Sequence, residues 1–272
     1  MLENSAVIPQ GSSSVQLGEI PVRVIKKGEG KPLFFLHGWG CSAETMISLA
    51  SAAEQTHSCY FIDFPGFGKT PAPPVGWDVG DYANFTIELK KIISPGQPVS
   101  VVAHSFGGRV MLKLLSEPAT ASSFSKVVIT GGAGMKPKRP LKYYYRVSLA
   151  KILKAPFMLL PASMRERGLA RLRKTSVWKS LGSSDYAQLE GVMREVFVKT
   201  VREYLDHTLP EINHEVLLLW GEKDDAAPLY QAQRMEKGMK NAALVTIPNA
   251  GHYAFLDQPA RFKTIMKAYL EG

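Results

Sequence analysis

The run Ala103-His104-Ser105-Phe106-Gly107-Gly108 sets a serine among small residues, after the apolar stretch Val99-Ser100-Val101-Val102 and before the helical pattern 109–115. Small residues let a chain turn sharply between strand and helix, which holds the serine side chain clear of the backbone. The helix behind it points free N–H groups and a positive dipole end at the turn. That environment favours the negative charge that develops when a serine oxygen attacks a carbonyl. The usual form of the motif is G-x-S-x-G; here Ala103 stands for its first glycine, one methyl larger.

Serine alone is a weak nucleophile and needs a base, which in turn needs an orienting group. His252, in Asn249-Ala250-Gly251-His252-Tyr253, is the candidate general base. Asp224, in Trp220-Gly221-Glu222-Lys223-Asp224-Asp225-Ala226-Ala227-Pro228, is the candidate orienting carboxylate, with Asp225 beside it as the alternative. The stretch Thr130-Gly131-Gly132-Ala133-Gly134, which follows the preceding apolar run, offers no carboxylate that could replace them. The chain order is Ser, Asp, His. A tetrahedral oxyanion also needs two preorganised donors. The backbone N–H of Phe106 and that of Trp39, in His37-Gly38-Trp39-Gly40, are the candidates. Chemistry of this kind requires neither metal nor cofactor. Met135, with Trp39 and Phe106, is expected near the acyl pocket.

These motifs follow short apolar runs at 32–36, 59–62, 99–103, 126–130, 215–220 and 243–247. Such runs fit strands buried on both faces. Helical patterns at 42–54, 81–93, 106–117, 229–239 and 258–270 alternate with them. Strand–helix alternation predicts a mostly parallel sheet flanked by helices. Segments 14–17 and 21–26, joined through Gly18-Glu19, predict an antiparallel edge hairpin, which brings the expected strands to eight. Between 135 and 210 the alternation gives way to helical, charged sequence, expected to be a cap inserted into a core of 1–134 and 211–272. Within it an amphipathic helix is expected from Asp185, with Gln188 completing a capping box and Tyr186, Leu189, Met193, Val196, Phe197, Thr200, Tyr204 and Leu205 on one face.

The net charge of +9 is unevenly distributed. Residues 135–179 hold thirteen Lys or Arg and one acid, Glu166, so this stretch carries +12 and the remainder −3. A basic helical face with apolar neighbours such as Tyr144 and Leu159 suits either plain solvation or an anionic partner: an acidic acyl carrier, an anionic small substrate or an anionic surface. Tyr143, Tyr144 and Tyr145 are expected to pack inside the cap. No nucleic-acid-binding motif is present. Cys41 and Cys59 match no metal spacing and cannot build a disulfide framework, so both are expected as reduced, buried thiols. Residues 1–10 lack the basic and apolar regions of a secretory signal, and the longest apolar stretch, 155–162, falls far short of the ~20 residues of a membrane span. The expected compartment is the cytoplasm.

Together with Asp63-Phe64-Pro65-Gly66-Phe67-Gly68-Lys69-Thr70, which is expected to shape the edge of the site, these motifs resemble the α/β-hydrolase superfamily, fold-1 type, over residues 20–270. The His-Gly-Trp-Gly loop and helical cap are similar to those of pimeloyl–carrier-protein methyl-ester esterases and related carboxylesterases. The resemblance implies an α/β fold with an eight-stranded sheet and inserted cap, and hydrolysis of a carboxylic ester or thioester through an acyl-enzyme. Carbon–carbon hydrolases and cofactor-free haloperoxidases share the same three residues and are the alternatives. A small-ligand receptor that keeps the hydrolase pocket is an alternative of another class. Dehalogenases and epoxide hydrolases need a carboxylate where Ser105 stands, which disfavours halides and epoxides.

Overall fold

A computed structural model of the chain describes residues 8–139, 141–176 and 189–272, except for the side chains of Lys142, Tyr143, Arg146 and Arg173. The chain opens with strands β1 (Gly11–Leu17), β2 (Ile20–Lys27) and β3 (Lys31–Leu36). A short helix α1 (Ala43–Met46), strand β4 (His57–Ile62), helix α2 (Val79–Ile93), strand β5 (Val99–His104) and helix α3 (Phe106–Leu115) follow. Next come α4 (Pro118–Ala121), β6 (Phe124–Thr130) and, among the described residues, helices α5 (Leu141–Met158), α6 (Ala162–Lys174) and α7 (Gly191–Arg202). The chain closes with β7 (Glu215–Gly221), α8 (Leu229–Gly238), β8 (Asn241–Ile247), α9 (Ala254–Asp257) and α10 (Pro259–Glu271).

The strands form one eight-stranded sheet in the order β1-β2-β4-β3-β5-β6-β7-β8. β1 and β2 pair antiparallel at the edge, β2 pairs antiparallel with β4, and every other pairing is parallel. β4 and β5 are buried along their whole length because both faces of the sheet are covered. Alternate side chains feed separate cores: Phe34, Leu36, Val101 and Ala103 one, and Leu33, Phe35 and Val102 the other. The order reverses at β3, so the loop after β3 and the turn after β5 lie side by side at the carboxyl ends of adjacent strands. Ligands of open α/β sheets bind in such a crevice.

Two expected helices differ in the structure. The pattern at 42–54 makes only one α-helical turn and continues as a 3₁₀ helix, Ile47–Ala52. Its buried residues, Met46, Leu49, Ala50 and Ala53, recur every three to four positions, a spacing the tighter helix also serves. Within the expected amphipathic segment, the described helix begins at Gly191. Glu190 is extended and Gly191 has φ +52°, so the glycine interrupts the apolar pattern instead of continuing it. Asp185, Tyr186 and Gln188 lie outside the described residues, as do residues 1–7 and Lys179.

The segment 135–210 leaves after β6 and returns before β7, and its ends meet where the Leu205 N–H donates to the Gly134 carbonyl at 2.8 Å. Its two parts differ. α7 is seated on the core: Val196 and Thr200 are buried, Phe197 meets Trp39 edge-on at 5.1 Å, and the Lys199 ammonium donates to the Gly76 carbonyl. α5 and α6 pack mainly on each other. Tyr144 and Tyr145 are 57% and 68% exposed, contrary to the expectation of a tyrosine core. Cys59 is buried and Cys41 half-buried, both as free thiols. Among the described residues, no helix is long and apolar enough to cross a membrane.

Candidate active site

β5 ends at His104 and α3 starts at Phe106, so Ser105 alone makes the turn between them. It does so with φ 50° and ψ −104°, one of two described non-glycine residues at positive φ. Such backbone costs on the order of 1–3 kcal/mol and persists only where its surroundings impose it. Here the Ser105 N–H donates to the Thr130 carbonyl at 3.0 Å, and the Ser105 carbonyl accepts from the N–H groups of Arg109 (3.2 Å) and Ala133 (2.9 Å). A Cβ on Gly107 would collide with the Leu36 carbonyl, so α3 can lie this close to β3 only with glycine there.

The loop after β3 is tied to the same turn. The Gly107 N–H donates to the His37 carbonyl at 3.1 Å. The His37 ring is fully buried, with Nε2 accepting from the Phe64 N–H (3.1 Å) and Nδ1–H donating to the Gly38 carbonyl (2.7 Å). Both bonds require a neutral ring, and burial favours that form by lowering its pKa. Asp63 anchors the neighbouring loop: its buried carboxylate accepts from the N–H groups of Ala43 (2.6 Å) and Lys69 (2.9 Å) and faces the Arg23 guanidinium at 3.3 Å. In that loop Phe67 meets Trp39 edge-on at 4.8 Å. Among the described residues, the backbone N–H groups of Trp39 and Phe106 have no hydrogen-bond acceptor. Two free donors thus flank the serine.

Asp224 is buried in the loop after β7, and its Oδ1 accepts from the N–H groups of Ala226 (3.0 Å) and Ala227 (2.8 Å). Its two oxygens lie 3.1 and 2.9 Å from His252 Nδ1. A carboxylate can only accept, so Nδ1 carries a proton, and the neutral ring then presents the Nε2 lone pair. Asp225 is exposed. His104 packs against His252 with ring centroids 4.7 Å apart, and its Nε2–H donates to the His252 carbonyl at 3.1 Å. Burial pushes the His104 imidazole down to about 3, so the ring beneath His252 is neutral.

Ser105, His252, Trp39, Phe106 and Met135 all line one cavity of about 520 Å³ between the sheet's carboxyl end and α7. Arg109, one helical turn past Ser105, lines it too, and sequence reasoning passed over it. A signal existed: Arg109 is the only charge in the first turns of a helix whose other positions through Leu112 are glycine or apolar.

Residues 33–264 match the model of the alpha/beta hydrolase family. A pimeloyl-[acyl-carrier protein] methyl ester esterase of Aliivibrio fischeri is 20% identical over 90% of this chain and 95% of its own. A 2-hydroxy-6-oxo-6-(2'-aminophenyl)hexa-2,4-dienoic acid hydrolase of Metapseudomonas resinovorans is 23% identical over 99% and 96%. The solved esterase from Exiguobacterium antarcticum superposes with a TM-score of 0.72 at 20% identity, covering 97% of this chain and all of that one.

Proposed function

Because this chain belongs to the alpha/beta hydrolase family, we propose that it is a serine hydrolase acting on carboxylic esters or thioesters, with Ser105 as nucleophile, His252 as base and Asp224 as orienting acid. The observation that carries this reading is the buried Asp224 carboxylate gripping His252 Nδ1 beside a cavity that Ser105 also lines. In the reaction, Ser105 Oγ bonds to the carbonyl carbon as His252 Nε2 takes its proton. The N–H groups of Trp39 and Phe106 receive the oxyanion. The tetrahedral intermediate collapses, the bond to the leaving oxygen or sulfur breaks, and the imidazolium returns the proton to the leaving group. Water then repeats the sequence on the acyl-serine, releasing the acid and restoring the hydroxyl.

The segment 135–210 acts as the cap, with α7 as the roof of the site. The exposed α5–α6 hairpin is the face for an anionic partner, an acidic acyl carrier or an anionic surface. Among the described residues, seven of the ten exposed large hydrophobic side chains lie on it, between Leu141 and Met164, among its cations. Two free thiols are compatible with a reducing compartment, the cytoplasm.

Labelling with a fluorophosphonate probe tests the chemistry. The wild type should be labelled, and Ser105→Ala should lose both label and about 10⁴- to 10⁶-fold in kcat with little change in melting temperature. A variant that keeps a tenth of the wild-type rate on a good ester would overturn the assignment. Labelling without ester turnover would favour the receptor reading or a carbon–carbon hydrolase.

A further inference from the structure

Arg109 is buried to 8% exposure at the start of α3. Among the described residues its guanidinium forms no hydrogen bond or ion pair, and its Nε is enclosed without any partner. A buried charge without a partner is strongly disfavoured. Its position makes matters worse, since the first turn of a helix presents positive potential. The Glu203 carboxylate is the main offset, and it acts through space as a Coulombic partner. Desolvation lowers the pKa of Arg109 only to about 10, so it remains a cation at neutral pH. The cavity it lines contains a second guanidinium, Arg139, and no Asp or Glu among its described lining residues. Gln231 and Tyr204 supply further polar groups on the same wall.

We propose that Arg109 is a specificity residue that receives a free carboxylate on the substrate, so that the preferred ester is a half-ester or thioester of a dicarboxylic acid. This rests on the serine-hydrolase reading for its reaction, but not for its binding. A guanidinium matches a carboxylate with two parallel N–H···O bonds, and a single turn of helix separates it from the attacking serine. The acyl chain would therefore lie along the start of α3, its ester carbonyl at Ser105 and its carboxylate at Arg109. The preference is expressed inside the cavity. It is thus separate from any attraction exerted by the cap surface.

Two measurements test it. The first is kcat/KM for monophenyl adipate against neutral phenyl hexanoate, which share a leaving group and chain length. The wild type should favour the adipate, and Arg109→Gln should reduce the adipate-to-hexanoate ratio by about 10- to 100-fold. Arg109→Lys, which keeps charge but not the forked geometry, should fall between them and serves if the glutamine variant does not fold. The second is adipate binding to Ser105→Ala by calorimetry, which should vanish in Ser105→Ala/Arg109→Gln. A wild type that prefers the neutral ester, or binding that survives loss of Arg109, overturns the proposal. If neither ester turns over but adipate binding depends on Arg109, the anion site stands and the hydrolase reading falls. If both esters turn over without discrimination and adipate does not bind, the hydrolase stands and the anion site falls.

Discussion

The turn at Ser105 and the α5–α6 hairpin use the chain in opposite ways. At the turn, three backbone hydrogen bonds fix one residue in a strained conformation, and the adjoining glycine admits no side chain. On the hairpin, Leu141 and Leu159 are 88% and 89% exposed amid cations, and the two helices rest mainly on each other. Rigid enclosure suits chemistry, where a misplacement of about 1 Å can cost 10²-fold in rate. An open, charged, partly apolar face suits a partner that covers the exposed side chains. If this contrast is right, changes at the first region should act on kcat and folding, and changes at the second on association alone.

The sharpest break would come from the acid. Asp224→Asn should lower kcat by about 10⁴-fold, because an amide neither fixes the His252 tautomer nor stabilises the imidazolium. Asp225→Asn, one residue away and exposed, should stay within about twofold of the wild type, as surface changes usually do. Steady-state kinetics on one ester decides it; the reverse ranking would mean that the buried carboxylate is structural.

Next is Gly107→Ala. The new Cβ would strike the Leu36 backbone carbonyl, which has no rotamer to escape into. Unfolding in urea should show a loss of about 3 kcal/mol or more, the range of strongly strained backbone or core changes. Gly40→Ala is the informative contrast for space alone, since nothing lies within 4 Å of a Cβ there, although its φ of +70° adds some strain. Equal losses at the two positions would deny that close approach of α3 to β3 is what builds the turn.

The enclosed histidine gives a pH signature. His104 has a folded pKa of about 3 against 6.5 when free, so between those values the unfolded chain binds a proton that the native chain refuses. Stability is therefore complete above about pH 6.5 and falls as pH drops towards 3, by up to about 1.4 kcal/mol per unit. His104→Gln should flatten the slope of unfolding free energy between pH 6.5 and 5. An unaltered slope would mean that the ring is protonated in the folded protein.

The smallest effect is expected on the hairpin. Replacing exposed Lys151, Arg167, Arg171 and Lys174 by Glu should lower kcat/KM for a carrier-bound acyl ester by about tenfold at 50 mM salt and far less at 500 mM, where the Debye length is only a few ångströms. A small neutral ester should respond to neither. Identical salt profiles for the two substrates would remove the partner and leave a solvated lid.

Sequence periodicity determined most of the architecture. Apolar runs of strand length, ending in Gly, Pro or Asp, located the six strands β3 to β8 to within two residues at their ends, because a strand buried on both faces admits few polar positions; β1 and β2 were legible instead as a hairpin joined through Gly18-Glu19. The motifs at Ser105, His252 and Asp224 were legible for the same local reason: each needs a turn directly after a strand, and turns have residue signatures. Where local signals conflicted, the sequence misled. The 3₁₀ stretch after α1 and the late start of α7 at Gly191 follow from packing and backbone conformation that a window of apolar residues does not encode. Only the tertiary structure decided between Asp224 and Asp225 as the partner of His252, because adjacent residues in a loop share a composition but not a burial. It alone showed that the Arg109 side chain is enclosed beside the serine rather than solvated, since burial of a charge depends on α7 and the segment after β6, both remote from it in sequence. Sequence spacing specifies which groups are near in the chain; which of them lose water is settled only when distant elements close over them.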